Sequence, residues 1–335
     1  MTIVRINLLR RALLALPLIV FCLGGALAQT PDPLPSWNDG AAKKSIIDFV
    51  TKVTTAGSPD FVPADRRVAT FDNDGTLWTE QPIYTQVVFA YDHLRKVAAE
   101  HPEWKNEEPL RSLLELEPQS LVGEKALLSV VAVAHKGITV DDFTAIVLDW
   151  LATARHPRFN RPYTDLVYQP MLEVIEYLRA NDFKVFIVSG GGIEFMRPWT
   201  EKIYGIPPER VVGSSGFVKF QMGADGKPML FKQADVEFTD DGPGKPIGIE
   251  RFIGRRPIFA FGNSDHDLPM LQWTAAGDGA RFVGYVHHTD ADREYAYDRG
   301  SKVGQLDKGL EIAAAKGWTV ADMKRDWKVI YPFQK

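Results

Sequence analysis

Asp72 and Asp74 stand two residues apart in Phe71-Asp72-Asn73-Asp74-Gly75-Thr76-Leu77, directly after the apolar run Val68-Ala69-Thr70-Phe71. The run reads as a buried strand. Asn, Asp and Gly suit the turn that follows it. Two acids at the mouth of a hydrophobic strand are costly unless a cation or a reaction needs them. Three further groups share this look of chemistry at a strand's end. Ser189 follows Phe186-Ile187-Val188 and precedes Gly190-Gly191-Gly192. A hydroxyl with backbone N–H groups at a glycine-rich helix start suits an anion. Lys245 lies in Gly242-Pro243-Gly244-Lys245-Pro246 and brings a positive charge. Gly262-Asn263-Ser264-Asp265-His266-Asp267 follows the apolar Phe259-Ala260-Phe261.

The elements that must position these groups alternate. Asn38 or Asp39 is placed to cap a helix running to about Val53, with Ile46, Ile47, Phe49 and Val50 on one side. Helical spacing recurs through residues 82–163, as in Val87, Val88, Ala90, Tyr91 and Leu94, and again in Phe143, Ile146, Val147 and Trp150. Helix 171–179, strand 184–188, a helix over 194–204 ended by Gly205, and a short strand at Val211-Val212 come next. Residues 217–238 alternate around Ala224-Asp225-Gly226 and read as a β-hairpin. Strands are expected at 257–261 and 281–286, and the tail from Leu310 reads as helix followed by packing aromatics. Strands alternating with helices predict an α/β fold with a doubly wound, mainly parallel sheet. Ligands sit at the carboxyl ends of such strands.

The order and chemistry of the four groups resemble the four motifs of the haloacid dehalogenase superfamily, over roughly Val68 to Asp267. The two-Asp form resembles its phosphatases, and the layout is similar to phosphoserine-phosphatase-like members. The resemblance implies a Rossmann-like core of residues 29–80 and 164–335 and an inserted helical cap at 81–163. It implies that Asp72 attacks phosphorus to form an aspartyl-phosphate and that Asp74 transfers protons. Ser189, Gly190 and Lys245 would bind the phosphate. One Mg²⁺ would be held by Asp72, Asp74, Asn263 and Asp267, all oxygen donors of the kind a hard cation takes. The chain departs from the superfamily pattern at Asn263, where an acid is usual, and Asp265 is the rival ligand. Lys227 and Lys232 are rivals to Lys245. Glu80 stands near the place of an acid that holds the substrate amine in phosphoserine phosphatases.

The cluster His156, Arg158, Arg161 and Tyr163 reads as a solvated hinge where the inserted block rejoins the core. Adjacent His287 and His288 on a strand point to opposite faces, so they are not expected to share an ion.

The chain has 335 residues and a formal charge of −4, a poor match for nucleic acid. Arg5, Arg10 and Arg11, the apolar stretch 12–25 and Ala26-Leu27-Ala28 read as a secretory signal peptide over 1–28. Its removal takes the single cysteine, Cys22, and leaves no thiol chemistry. The expectation is an exported, periplasmic or secreted phosphomonoesterase acting on small phosphorylated substrates, with no stable membrane association. A phosphotransferase or phosphorylcholine-type phosphatase, and a non-catalytic anion-binding protein on the same fold, are the alternatives.

Overall fold

Strand β1, Val68–Phe71, lies at the centre of the sheet and is buried along its whole length. It pairs in parallel with β2, Lys184–Gly192, on one side and β5, Phe259–Gly262, on the other. Strands covered on both faces need continuous apolar runs, which is what these sequences supply. β3, Val211–Met222, extends the sheet beyond β2, and β6, Phe282–Thr289, extends it beyond β5, both in parallel. β4, Pro228–Phe238, closes one edge antiparallel to β3. The short β7, Ala296–Tyr297, pairs antiparallel with β6, and β8, Thr319–Asp322, pairs parallel with it. The computed structural model describes residues 31–106, 110–115 and 137–334. Pro33–Lys335 groups as one unit, while Met1–Asp32 groups by itself and is described only in its last two residues.

Helix Ala41–Thr54 buries Ile46, Phe49, Val50 and Val53, spaced by three or four residues so that they share one face. Phe49 meets Phe259 and Phe282, whose own rings stack 4.4 Å apart. Each fully buried Phe contributes roughly 1.5–3 kcal/mol, so this cluster fixes the central strands against the helix layer. Asn38 and Asp39 do not cap the helix. Gly40 holds the cap position, Asn38 donates to the Arg325 carbonyl, and Asp39 pairs with Lys43.

The tail also differs from expectation. Helix Lys308–Lys316 stops at Gly317, which takes the left-handed φ of 66°. Thr319 and Val320 then continue into β8 beside β6, because β-branched residues fill a pleated surface better than another helical turn. The tail aromatics pack: Trp327 meets Trp37 edge-on, and Tyr331 stacks with Tyr168.

Between β1 and β2, the described helices are Thr85–Ala98, Leu110–Glu115 and Val140–Thr153. The last of these buries Phe143, Val147 and Leu151 in the same hydrophobic cluster as the sheet. Ile83, Val87, Ala90, Tyr91 and Leu94 form a separate small cluster around the first. His156 is buried rather than solvated. Its Nε2 lies 2.8 Å from the Gln81 carbonyl, and Arg158 donates to the carbonyls of Ala291 and Asp292. Among the described residues no helix is long and apolar enough to cross a membrane.

Candidate active site

The parallel register brings the expected groups to one edge of the sheet. Phe71 is opposite both Ile187 and Phe261, so the chain leaves β1 at Asp72, passes Ser189 near the end of β2, and leaves β5 at Asn263. The Asp72 backbone N–H donates to the Phe261 carbonyl and ties the first and last of these together. Gly75 takes a φ of 75°, which a side chain disfavours. A Cβ there would also lie 2.1 Å from Asn263 Nδ2. The glycine is thus required twice, by the turn and by the close approach.

Lys245 sits on the short helix Gly244–Gly248 and not at a strand end. Its Nζ is buried between two acids, 2.6 Å from Asp72 Oδ1 and 2.5 Å from Asp267 Oδ1, and also donates to the Val188 carbonyl. The rivals are elsewhere: Lys232 pairs with Glu194 and lies over Phe143, and Lys227 is exposed beside Asp225. Asp267 Oδ2 accepts from the backbone of Asn263 and Ser264 and from the Ser264 hydroxyl, which shapes the loop after β5. Asp265 faces the other way. Its carboxylate accepts backbone N–H groups of Asp307, Lys308 and Gly309 at the start of helix Lys308–Lys316. It caps that helix and does not line the pocket over Asp72.

Asp74 accepts from the Trp78 indole at 2.9 Å, and Trp78 is stacked 4.5 Å from Trp199. Thr76 Oγ1 reaches Asn263 Oδ1 at 3.1 Å and Asp72 Oδ2 at 3.4 Å. Ser189 is buried, with its hydroxyl accepting the Gly191 N–H. The Gly192 N–H is taken by Gln86 Oε1 at 2.7 Å, from the helix after β1. Glu80 is also buried and accepts from Asn263 Nδ2 at 2.6 Å and from Tyr297 at 2.8 Å. A pocket of about 220 Å³ opens over Asp72, Asp74, Ser189, Gly190, Lys245 and Asp267, with Glu80, Tyr84 and Gln86 in its wall.

The charges in this pocket do not balance. Burial, then Asp267, push the Asp72 carboxyl up to about 8 against the opposing pull of Lys245. Burial raises Asp74 to about 6, opposed chiefly by its hydrogen bond from the Trp78 indole. Burial also holds Glu80 well above the ordinary range. Burial disfavours the Lys245 charge, but Asp267 and Asp72 outweigh it and hold the ammonium above its usual value. Several acids around one ammonium, and carbonyl and carboxylate oxygens on adjoining loops, fit a divalent cation that prefers oxygen donors. Among the described residues no three His, Cys, Asp or Glu side chains form a metal cluster by themselves. Such a cation therefore needs Asn263, a backbone carbonyl or water as well.

A stability prediction follows from these raised carboxyls. With no cation present, the folded protein holds protons on Asp72 and Asp74 that the unfolded chain has already released. Folded stability then declines as pH rises from about 4 towards about 8. Thermal melts in chelator are expected to give a lower Tm at about pH 8 than at about pH 5, and Mg²⁺ to raise Tm more at the higher pH. Equal Tm values, indifferent to Mg²⁺, would remove the charge argument for a cation.

The class defined by this fold and site is a Rossmann-like α/β hydrolase with paired acids after the first strand. The chain belongs to the haloacid dehalogenase-like hydrolase family, whose profile matches residues 69–272. Among solved structures, a protein of unknown function from Bordetella pertussis Tohama I aligns at 17% identity. That match covers 77% of this chain and 99% of that one, with a TM-score of 0.50. A second, from Anaerococcus prevotii, aligns at 13% identity over 83% of this chain and 90% of that one, also at 0.50. At these identities the likeness is one of fold. No match is found among curated proteins.

Proposed function

We propose that this chain is an exported, Mg²⁺-dependent phosphomonoesterase that hydrolyses small phosphate esters through an aspartyl-phosphate on Asp72. The observation that carries the reading is the placement of two carboxyls with separate environments in one pocket. Asp72 is locked at 2.6 Å from the Lys245 ammonium, while Asp74 stands apart with a carboxyl raised to about 6. Asp72 attacks phosphorus. Asp74 gives its proton to the leaving oxygen, then takes one from the water that attacks the phosphoryl-enzyme. Lys245 offsets negative charge on nucleophile and phosphate, and the Ser189–Gly190 turn supplies further contacts to phosphate oxygens. Asp72, the backbone carbonyl of Asp74, Asn263 and Asp267 would hold the cation, which supplies charge neutralisation at the phosphate when bound. In this proposal residues 81–163 form the cap that limits substrate size. Residues 1–28 are the export signal and lie outside the described residues.

The test is phosphate release over a broad ester panel with Mg²⁺, Mn²⁺ or Co²⁺, with and without alcohol acceptors. Transfer to the acceptor in place of water would make the protein a phosphotransferase. No release from any ester would sink the reading. The first step needs Asp74 protonated and Asp72 ionised; with Mg²⁺ bound to favour the ionised Asp72, turnover limited by that step is expected to fall as pH rises through about 6, where Asp74 loses its proton. Asp74→Asn should lower kcat by roughly 10²–10⁴-fold and flatten that limb. The loss should shrink for esters with good leaving groups such as p-nitrophenol, which depart without a proton. An equal loss for all esters would take the acid role from Asp74. Mass measurement of the secreted product, expected to begin at Gln29, tests the export signal.

A further inference from the structure

His288 stands beside His287 on β6. The structure places the two rings apart. His287 lies 3.4 Å from Asp298, while His288 is buried under the turn that carries Asp72 and Asp74. Its Nε2 lies 2.7 Å from the Gly75 carbonyl, and its Nδ1 lies 3.2 Å from Glu294 Oε2. Both partners are pure acceptors, a backbone carbonyl and a carboxylate. A carbonyl can only accept, so the contact to Gly75 is made by an N–H on Nε2, and Glu294 fixes the ring from its other side.

Glu294 is itself fixed. Its other oxygen accepts from Thr79 at 3.0 Å and Tyr168 at 3.1 Å, and Oε2 also accepts the Tyr295 N–H at 2.6 Å. The His288 ring stacks 4.3 Å from Tyr297, whose hydroxyl donates to Glu80, the partner of Asn263. Most of the turn satisfies itself: the N–H groups of Thr76, Leu77 and Trp78 all point to the Asn73 carbonyl. The Gly75 carbonyl is held from outside, by His288. That carbonyl belongs to the same peptide unit as the N–H of Thr76, whose hydroxyl touches Asn263 and Asp72.

We infer that His288, held by Glu294, is a positioning residue for the reaction: it clamps the Gly75–Thr76 peptide and thereby sets Thr76 against Asp72. This rests on the phosphomonoesterase reading, and the test separates the two. In the wild type, imidazole ¹⁵N shifts are expected to show His288 with its N–H on Nε2; a bare Nε2 overturns the clamp.

His288→Leu alone leaves Glu294 buried without its imidazole partner and is prone to misfold. The informative variant is therefore His288→Leu with Glu294→Gln, in which both members of the pair change together. It is expected to melt near the wild type, with kcat lowered by about 10²-fold and KM almost unchanged. His288→Gln, which keeps an N–H within reach of the Gly75 carbonyl, should recover most of kcat. A double variant with wild-type kcat overturns the proposal and leaves the pair a purely structural role. If the wild type turns over no ester, the phosphatase reading fails by itself. The Thr76 amide resonance then decides the clamp: a shift in the double variant supports it, and an unmoved resonance overturns it.

Discussion

Asp72→Asn is expected to fold as the wild type does and to release phosphate more slowly by on the order of 10⁴-fold or more. The substitution is nearly isosteric, and the amide can still accept at the position of Asp72 Oδ1, where Lys245 donates. Lys245 also keeps Asp267. Stability is not the expected casualty. The Asp72 carboxyl is pushed up to about 8 by burial and by Asp267, so its ionised form is a burden on the fold. Above that pH the neutral Asn variant should be at least as stable as wild type. What is lost is the nucleophile: an amide oxygen does not attack phosphorus to give a stable acyl phosphate. Acid quenching during turnover of a ³²P-labelled ester should trap label on the peptide containing Asp72 in the wild type and none in the variant. Retention of a tenth of wild-type activity by a correctly folded variant would end the covalent route.

Much of this site could be read from the sequence, and the reason is physical. Asp72, Ser189 and Asn263 each follow a mostly apolar run of a central strand, and parallel pairing puts such positions on one edge whatever the intervening chain does. Periodicity therefore found the sheet and its reactive rim together. Lys245 was found by type and order but misplaced, because a Gly-Pro-Gly-Lys-Pro run gives no period from which to tell a strand end from one helical turn. Asp265 was held open as a ligand because its sequence position is as good as that of Asp267. Only the arrival of residues 307–309, more than forty positions later, shows it to be a helix cap. Gln86 and Glu294 carry no local signal, and His288 stands out only through its neighbour His287. Each acts through a contact with a backbone group or a side chain far off in the chain, and buried polar networks of that kind are made by topology. Glu80 lay between these cases. Its type and nearness to Asp74 drew notice, but its hydrogen bond to Asn263 depends on the β1–β5 register.

Lys245→Met should damage both fold and chemistry, and the pH dependence of the damage identifies its cause. The ammonium is buried with acids at 2.6 and 2.5 Å, and a third bond from Nζ satisfies the Val188 carbonyl. Met fills nearly the same volume, so packing changes little. Asp72 and Asp267, however, then confront each other in a buried site without the cation between them. Removing one side of a buried charge pair typically costs about 3–5 kcal/mol. Loss of a charge aimed at the transferring group should lower kcat by roughly 10²–10³-fold. Lys245→Arg should not restore either property, since a planar guanidinium does not fit between two acids spaced for one ammonium nitrogen.

The sign of the pH effect is fixed by the acids that remain. Without Lys245 the opposing pull on the Asp72 carboxyl is gone, so its folded pKa rises further above that of the unfolded chain and protonation relieves the repulsion from Asp267 at low pH. The stability penalty, measured by urea unfolding in chelator, is therefore expected to be largest near pH 8 and to shrink towards about pH 5. Mg²⁺ should recover part of it at the higher pH, because a divalent ion can stand where the ammonium stood with respect to charge, though not to geometry. A penalty independent of both pH and Mg²⁺ would mean that Lys245 serves the fold by packing alone, and the charge balance argued for the pocket would have to be abandoned.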